Sequence, residues 1–201
     1  MKTLLLTGFE PFLGFPINPT EQIVNALDGQ TIGGYQIVGK ILPVDFAESA
    51  VKCLEYFTEV QPDVVINLGL AGGRSKMTPE RIAINVRDGE ADNRGVKLQD
   101  SPIEEEGPAG YFSTLPIRRF VDTLQEKGLP ANISNSAGTY LCNNVMYSVL
   151  HKIEKEGLNN VRAGFIHIPA SHELAVKHPK LPSWSSTDLE QAVRYMIEVL
   201  D

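Results

Sequence analysis

The sequence predicts an α/β fold, a three-layer α/β/α sandwich around a central mixed, twisted sheet. Two observations predict it. Short apolar runs such as Leu4-Leu5-Leu6 and Val64-Val65-Ile66 alternate with longer amphipathic stretches. No Gly/Ser linker, internal repeat or sharp change of composition divides the 201 residues, so residues 1–201 are expected to form a single domain.

The elements follow in order. Lys2–Thr7 reads as a buried strand. Asn18-Pro19 is a helix-start signal, and Thr20–Leu27 then reads as a helix stopping near Gly29. Tyr35–Leu42 is the second strand. Phe46–Val60 carries apolar residues at Ala47, Ala50, Val51, Leu54 and Phe57, a helical period, and Pro62 follows it. Asp63–Leu68 is the third strand, and Arg81–Val86 alternates as another. Arg87–Tyr111 is rich in Gly, Asp, Glu and Pro. An irregular stretch of that length is expected to contact a ligand or partner. Pro116–Lys127 reads as a helix closed by Gly128. Asn132–Ser134 is a short strand candidate. Leu141–Glu156, ended by Gly157, is the longest helix expected. Val161–Ile168 is a strand ended by Pro169, and Ala170–Ser185 is irregular. Thr187–Leu200 closes the chain as a helix with Ser186 as its cap.

Composition narrows the function. Hydrophobic residues make up 42% and charged residues 21%, which excludes general disorder. Eighteen Lys and Arg against 25 Asp and Glu leave a net charge of −7, which argues against nucleic-acid binding. The N-terminal apolar run is too short for a signal-peptide core, and Glu10 follows it. No stretch reaches the ~20 apolar residues of a membrane helix. The two cysteines, Cys53 and Cys142, cannot form a disulfide scaffold. No Cys/His cluster has zinc spacing, so no metal is expected. A reducing compartment and a free thiol follow as expectations.

Cys142 is the first candidate for chemistry. The small polar turn Ser134-Asn135-Ser136-Ala137-Gly138-Thr139 leads into the helix that begins Leu141-Cys142-Asn143. A thiol in the first turn of a helix feels the positive end of the macrodipole, which favours thiolate. Nearby backbone N–H groups can receive an oxyanion. The alternative is a small buried hydrophobe. Cys53, inside a helix with no glycine turn, reads as packing.

A thiol nucleophile needs an imidazole. His151 falls late in its helix and is expected at the surface. His172 and His178 lie in the polar segment after Pro169. His167 ends an apolar strand, where α/β proteins place functional groups, although a satisfied core histidine reads the same way. Glu80 can orient such an imidazole. It can equally be a surface carboxylate paired with Arg81. Gly69–Gly73 is rich in glycine but lacks phosphate-loop spacing. Phe9, Phe12 and Phe15 crowd the Gly8–Pro19 turn. They either cap the sheet or wall a flat, uncharged ligand.

Together these residues resemble the pyroglutamyl peptidase I family of cysteine peptidases (pyrrolidone-carboxylate peptidases). The anchors run collinearly along nearly the whole chain. They are Thr7-Gly8-Phe9-Glu10-Pro11-Phe12 with Asn18-Pro19, Ala71-Gly72-Gly73-Arg74 with Pro79-Glu80-Arg81-Ile82-Ala83-Ile84-Asn85, Ser134 to Asn143, and Gly164-Phe165-Ile166-His167-Ile168-Pro169. The resemblance implies a triad of Cys142, His167 and Glu80. It implies substrate contacts at Phe9, Phe12, Asn18 and Leu70, no cofactor, a cytoplasmic location and a homotetramer. The implied reaction releases an N-terminal 5-oxoproline (pyroglutamyl) residue from peptides. A lactam ring lacks a free amine and suits apolar faces with few hydrogen bonds.

The chain departs from the family pattern at three places. Leu70 stands where many relatives have glutamine, and Glu90 where they often have an arginine linked to the oxyanion region. Arg87 or Arg94 would have to compensate for Glu90. Ala170-Ser171-His172-Glu173 replaces a Tyr-Ile-Pro-like segment. The alternatives are a related thiol hydrolase with altered N-terminal specificity, a non-catalytic binding protein on the same scaffold, and a nucleoside phosphorylase-like enzyme.

Overall fold

Leu4, Leu5 and Leu6 show how the layers arise. Successive strand side chains point to opposite faces of a sheet. Leu4 and Leu6 join one apolar core and Leu5 joins another, all three fully buried. Burying each such side chain is worth about 1.5–3 kcal/mol, so both faces of this strand must be covered. The computed structural model describes residues 1–12 and 14–201; Leu13, in the Gly8–Pro19 turn, lies outside the described residues.

The elements are β1 (Lys2–Phe9), α1 (Pro19–Leu27), β2 (Thr31–Ile32), β3 (Tyr35–Leu42), α2 (Ser49–Val60) and β4 (Val64–Leu70). Then come β5 (Thr78–Pro79), β6 (Ile82–Ile84), β7 (Gly110–Phe112), α3 (Ile117–Glu126) and α4 (Leu141–Lys155). Last are β8 (Arg162–Ile168), β9 (Ala170–Ser171), α5 (His172–Ala175), β10 (Ser183–Trp184) and α6 (Ser186–Glu198).

The main sheet has six strands in the order β2-β3-β1-β4-β8-β5. The inner strands β3, β1, β4 and β8 are parallel. The edge strands β2 and β5 are antiparallel to their neighbours. The predicted mixed sheet is therefore present. Helices α1, α3 and α6 bury Val24, Phe120 and Val193 on one face. Helices α2 and α4 bury Phe57 and Val145 on the other. This is the expected α/β/α layering.

The same alternation selects a face for the chemistry. Phe165 packs in the α2/α4 core while Ile166 and Ile168 pack in the opposite one. His167, two residues beyond Phe165, therefore faces α4. The parallel strands β1, β4 and β8 all end at one edge, which gathers Phe9, Leu70 and His167 there. Ligands bind at this edge in open α/β sheets, where neighbouring connections diverge.

Several local expectations are corrected. Asn132–Ser134 is not a strand; Ala131 and Ser134 make isolated bridges to Met77 and Glu80. Arg81–Val86 is strand only at Ile82–Ile84, and it pairs with β7 outside the main sheet. Its backbone is instead held by the Asn143 side chain, which bonds the Ile84 amide (2.9 Å) and the Ile84 carbonyl (2.8 Å). The second helix starts at Ser49, because the Asp45 carboxylate captures the amides of Ala47 and Glu48 in a turn (2.8 and 2.9 Å). The last helix is capped by Ser185, not Ser186; the Ser185 hydroxyl accepts from the Asp188 amide at 3.0 Å. Gly69 belongs to β4 and not to a phosphate-binding turn. His151 is half-buried, stacked on Tyr147 and hydrogen-bonded to the Tyr111 hydroxyl at 2.9 Å.

Candidate active site

The site is built where β1, β4 and β8 end against the start of α4. A cavity of about 340 Å³ lies there, with an apolar wall of Phe9, Phe12, Val44, Leu70, Ala137 and Leu141. Cys142 and His167 share its wall. That volume suits a small ligand, and the lining suits one with apolar faces.

Phe9 is anchored through its backbone. Its amide donates to the Thr20 hydroxyl (3.0 Å), and that hydroxyl donates to the Asn18 side chain (2.8 Å). Asn18 is the N-cap of α1: Oδ1 accepts from the Thr20 amide (3.1 Å) and Nδ2 donates to the Glu10 carbonyl (3.1 Å). These bonds order the loop, and Asn18 also lines the cavity. Phe12 lies edge-on to Phe15, with centroids 6.0 Å apart, and Phe15 packs on His178 at 4.9 Å. Phe9 and Phe12 face the cavity, whereas Phe15 braces the loop.

Cys142 is the second residue of α4. The N-cap Tyr140 makes no side-chain cap bond, so the first N–H groups of the helix are left for a ligand. The sequence pattern predicts a thiol biased toward thiolate, and the structure adds an effect that opposes this. Burial, reinforced by the nearby Glu80 charge and only partly opposed by Arg74, pushes the Cys142 thiol up to about 12. Desolvation thus opposes the helix dipole at this sulfur and favours the neutral thiol. Cys53 is fully buried in α2 and burial likewise pushes it up to about 12, in keeping with a packing role.

His167 Nδ1 lies 2.7 Å from Glu80 Oε1. Register explains the contact. Thr78 of β5 pairs with His167, and Glu80 follows with its amide on the Phe165 carbonyl (2.9 Å). The carboxylate can only accept, so Nδ1 carries the proton and Nε2 is left as an acceptor. Burial holds His167 below its ordinary 6.5, with Glu80 partly offsetting the shift. Burial also pushes Glu80 up, but the His167 and Arg74 hydrogen bonds outweigh it and leave the carboxyl below 4.5. At rest the pair is a neutral imidazole and a carboxylate.

Glu80 is completely buried, so its surface-carboxylate reading fails. Arg81 bonds Asn135 instead, at 2.7 Å, and the cation on Glu80 is Arg74, also at 2.7 Å. Arg74 ends the Ala71-Gly72-Gly73-Arg74 motif, and its contact depends on a fold that returns Glu80 to it.

Two of the three departures from the family pattern line the cavity. Leu70 lines the cavity with an apolar side chain. Glu90 sits on the rim with its side chain 75% exposed and 3.9 Å from Lys97, where water screens it. Arg87 is tied to the Pro102 carbonyl and Arg94 to Asp45, and neither is among the residues lining the cavity. Backbone N–H groups at the start of α4 remain among the donors that line the cavity.

The sequence model of the pyroglutamyl peptidase family matches residues 1–201. The chain belongs to the pyroglutamyl peptidase family. It is 54% identical to a pyrrolidone-carboxylate peptidase of Halalkalibacterium halodurans over 197 residues, covering 98% of each chain. It is 51% identical to a pyrrolidone-carboxylate peptidase of Oceanobacillus iheyensis over 201 residues, covering 100% of both. Among solved structures, the pyrrolidone carboxyl peptidase of Thermococcus litoralis superposes with a TM-score of 0.95 at 42% identity, covering 100% of this chain and 93% of that one. A mutant enzyme of Pyrococcus furiosus gives a TM-score of 0.95 at 44% identity, covering 98% and 97%. These likenesses support the fold and the family expected from the sequence motifs.

Within this pyroglutamyl peptidase fold, Gly69 has no room for a side chain beside the thiol. A Cβ there would lie 2.7 Å from the Phe165 ring and 3.0 Å from Cys142 Sγ. Gly69→Ala is expected to displace the thiol and strain a fully packed ring. Overpacking of this kind costs about 1–3 kcal/mol. The expected result is a lower melting temperature together with loss of peptidase activity. A variant with wild-type melting and kcat would refute the tight contact.

Proposed function

We propose that this chain hydrolyses the bond after an N-terminal pyroglutamyl residue with Cys142 as nucleophile, His167 as acid–base and Glu80 as the group that orients the imidazole. The observation that carries this reading is the 2.7 Å Glu80–His167 contact on the cavity wall that Cys142 shares. The apolar cavity at Phe9, Phe12 and Leu70 takes the lactam ring, and Asn18 orders the loop that forms one side of it.

The resting state is neutral, so the thiol proton moves during attack. His167 Nε2 accepts the proton of Cys142 as sulfur bonds to the scissile carbonyl carbon and the carbonyl electrons move onto oxygen. N–H groups at the start of α4 receive that oxyanion. The imidazolium, held by the Glu80 charge, then protonates the leaving amine and the C–N bond breaks. Water attacks the thioester with His167 as base, and 5-oxoproline leaves as the thiol is restored.

The homotetramer and the cytoplasmic location implied by the family resemblance belong to the same proposal, as does action of residues 1–201 as one domain. No described helix is long and apolar enough to cross a membrane. Two cores that share one sheet support a single unit.

The test is release of aminocoumarin from a pyroglutamyl reporter, set against prolyl, glutamyl and acetyl reporters. Selective turnover of the pyroglutamyl compound is expected. Faster turnover of another reporter would favour altered specificity, which Leu70 would explain. The pH profile adds a check. His167 must be neutral to act, and burial lowers its pKa, so the acid limb of kcat/KM is expected below pH 6.5. The unfolded chain takes up this proton first, so the His167 contribution to stability is also lost as pH falls below 6.5. An acid limb above pH 7 would contradict the buried, neutral imidazole.

A further inference from the structure

A buried carboxylate needs a counter-charge, and a neutral imidazole supplies none. Glu80 is fully buried, and its Oε2 has no hydrogen-bond partner among the described residues. The Ser134 hydroxyl donates instead to the Ser136 carbonyl at 3.1 Å. Every side-chain bond made to Glu80 converges on Oε1. There His167 Nδ1 and an Arg74 guanidinium nitrogen each lie 2.7 Å away.

We propose that Arg74 is a positioning residue of the active site, clamping Glu80 by the oxygen that receives His167 and so aiming the imidazole at Cys142. The proposal rests on the catalytic reading given above.

The clamp has two arms. The same Arg74 nitrogen donates to the Thr78 hydroxyl at 2.6 Å. Thr78 pairs with His167 in the sheet, and its hydroxyl donates to the His167 carbonyl at 3.3 Å. Arg74 therefore reaches His167 twice, through Glu80 to the ring and through Thr78 to the backbone. Its own position is set by the turn in which its amide bonds the Ala71 carbonyl at 2.9 Å. Arg74 is not among the residues lining the cavity; its outer side opens to the surface beside Lys76 and Asn135. It acts through Glu80 and does not touch substrate.

Glu80 after β5 and Arg74 after β4 act on the His167 ring, and Cys142 on α4 shares the cavity lining with it, as do Asp88 and Glu90. The β4 residue paired with His167 is Gly69, which adds none. Arg74 favours the carboxylate and repels an imidazolium. Both effects lower the pH at which the Glu80–His167 pair takes up its next proton, and the pair titrates as a unit.

The experiment measures kcat, KM and the NMR titration of His167 in wild type, R74Q and R74K. In R74Q, kcat is expected to fall about tenfold to a hundredfold, the range set by small misplacements of a catalytic group. KM is expected to stay within about threefold, because the cavity wall is untouched. The His167 titration is expected to move to higher pH in R74Q and to return toward wild type in R74K. Lysine restores the charge but not the two-armed clamp, so kcat in R74K recovers only in part. If R74Q does not fold, R74K decides alone: reduced kcat supports the clamp and wild-type kcat overturns it. An unmoved titration in folded R74Q, or R74Q activity equal to wild type, also overturns it. A wild-type protein inactive on pyroglutamyl reporters would instead strike the catalytic reading, while the titration would still test the clamp.

Discussion

Replacing Cys142 with alanine is expected to lower kcat on a pyroglutamyl reporter by about 10⁴-fold or more, the scale seen when a covalent nucleophile is removed. No second thiol can take its place, because Cys53 is fully buried in α2 with its sulfur 3.6 Å from Asn67. Serine at the same position keeps a nucleophilic atom, but a hydroxyl is harder to deprotonate than a thiol, so it is also expected to fall to near background. The fold is expected to persist in both variants. Cys142 is half-buried at the mouth of a cavity, and the change removes one or no heavy atom. Binding of 5-oxoproline, followed by calorimetry, should therefore survive while turnover does not. Wild-type turnover by the alanine variant would sink the mechanism.

Glu80→Gln is expected to lower kcat by about 10³–10⁴-fold, the loss seen when the buried carboxylate of a serine-peptidase triad becomes an amide. An amide can donate to Nδ1, which would place the imidazole proton on Nε2, where it cannot accept from the thiol. The substitution also leaves Arg74 without its counter-charge. Removing one partner of a fully buried pair costs ~3–5 kcal/mol, but the Arg74 side chain is 34% exposed and keeps water, so a smaller loss is expected here. The charge effect has a defined pH window. The folded pKa of Glu80 lies below 4.5, so its stabilisation is present above pH 4.5 and disappears as pH falls through the folded value. Melting curves of wild type and Glu80→Gln should thus differ at neutral pH and converge in acid. Equal activity in the two proteins would remove Glu80 from the chemistry.

Much of this site was legible in the residue order. The turn before Leu141 announced a helix start beside a thiol, and the apolar run ending at Pro169 placed His167 at a strand end. Asn18-Pro19 announced a capped helix, and the cap is formed as written. Short-range rules suffice in such cases because each signal and its partner lie within one turn. Glu80 shows where such rules stop. Its neighbour Arg81 suggested a surface pair, yet its partners are Arg74 and His167, the latter 87 residues away. Asn143 is similar: its amide holds the Ile84 backbone from 59 residues away, and nothing near it in the sequence announces that bond.

The protonation state shows the same division. Position at a helix start argued for a thiolate, because the dipole is a local property of the backbone. Burial pushes the thiol the other way, because desolvation depends on everything packed around the sulfur. The sequence by itself determined the α/β class, the alternation that sends Leu5 and Leu4 to opposite cores, and the membership of the pyroglutamyl peptidase family. Only the tertiary structure decided that His167 faces α4, that Glu80 is buried against Arg74, and that Glu90 stays on a solvated rim. Periodicity and caps are set by contacts a few residues apart. Charge pairing and solvation are set by strand register and by the closing of one layer on another.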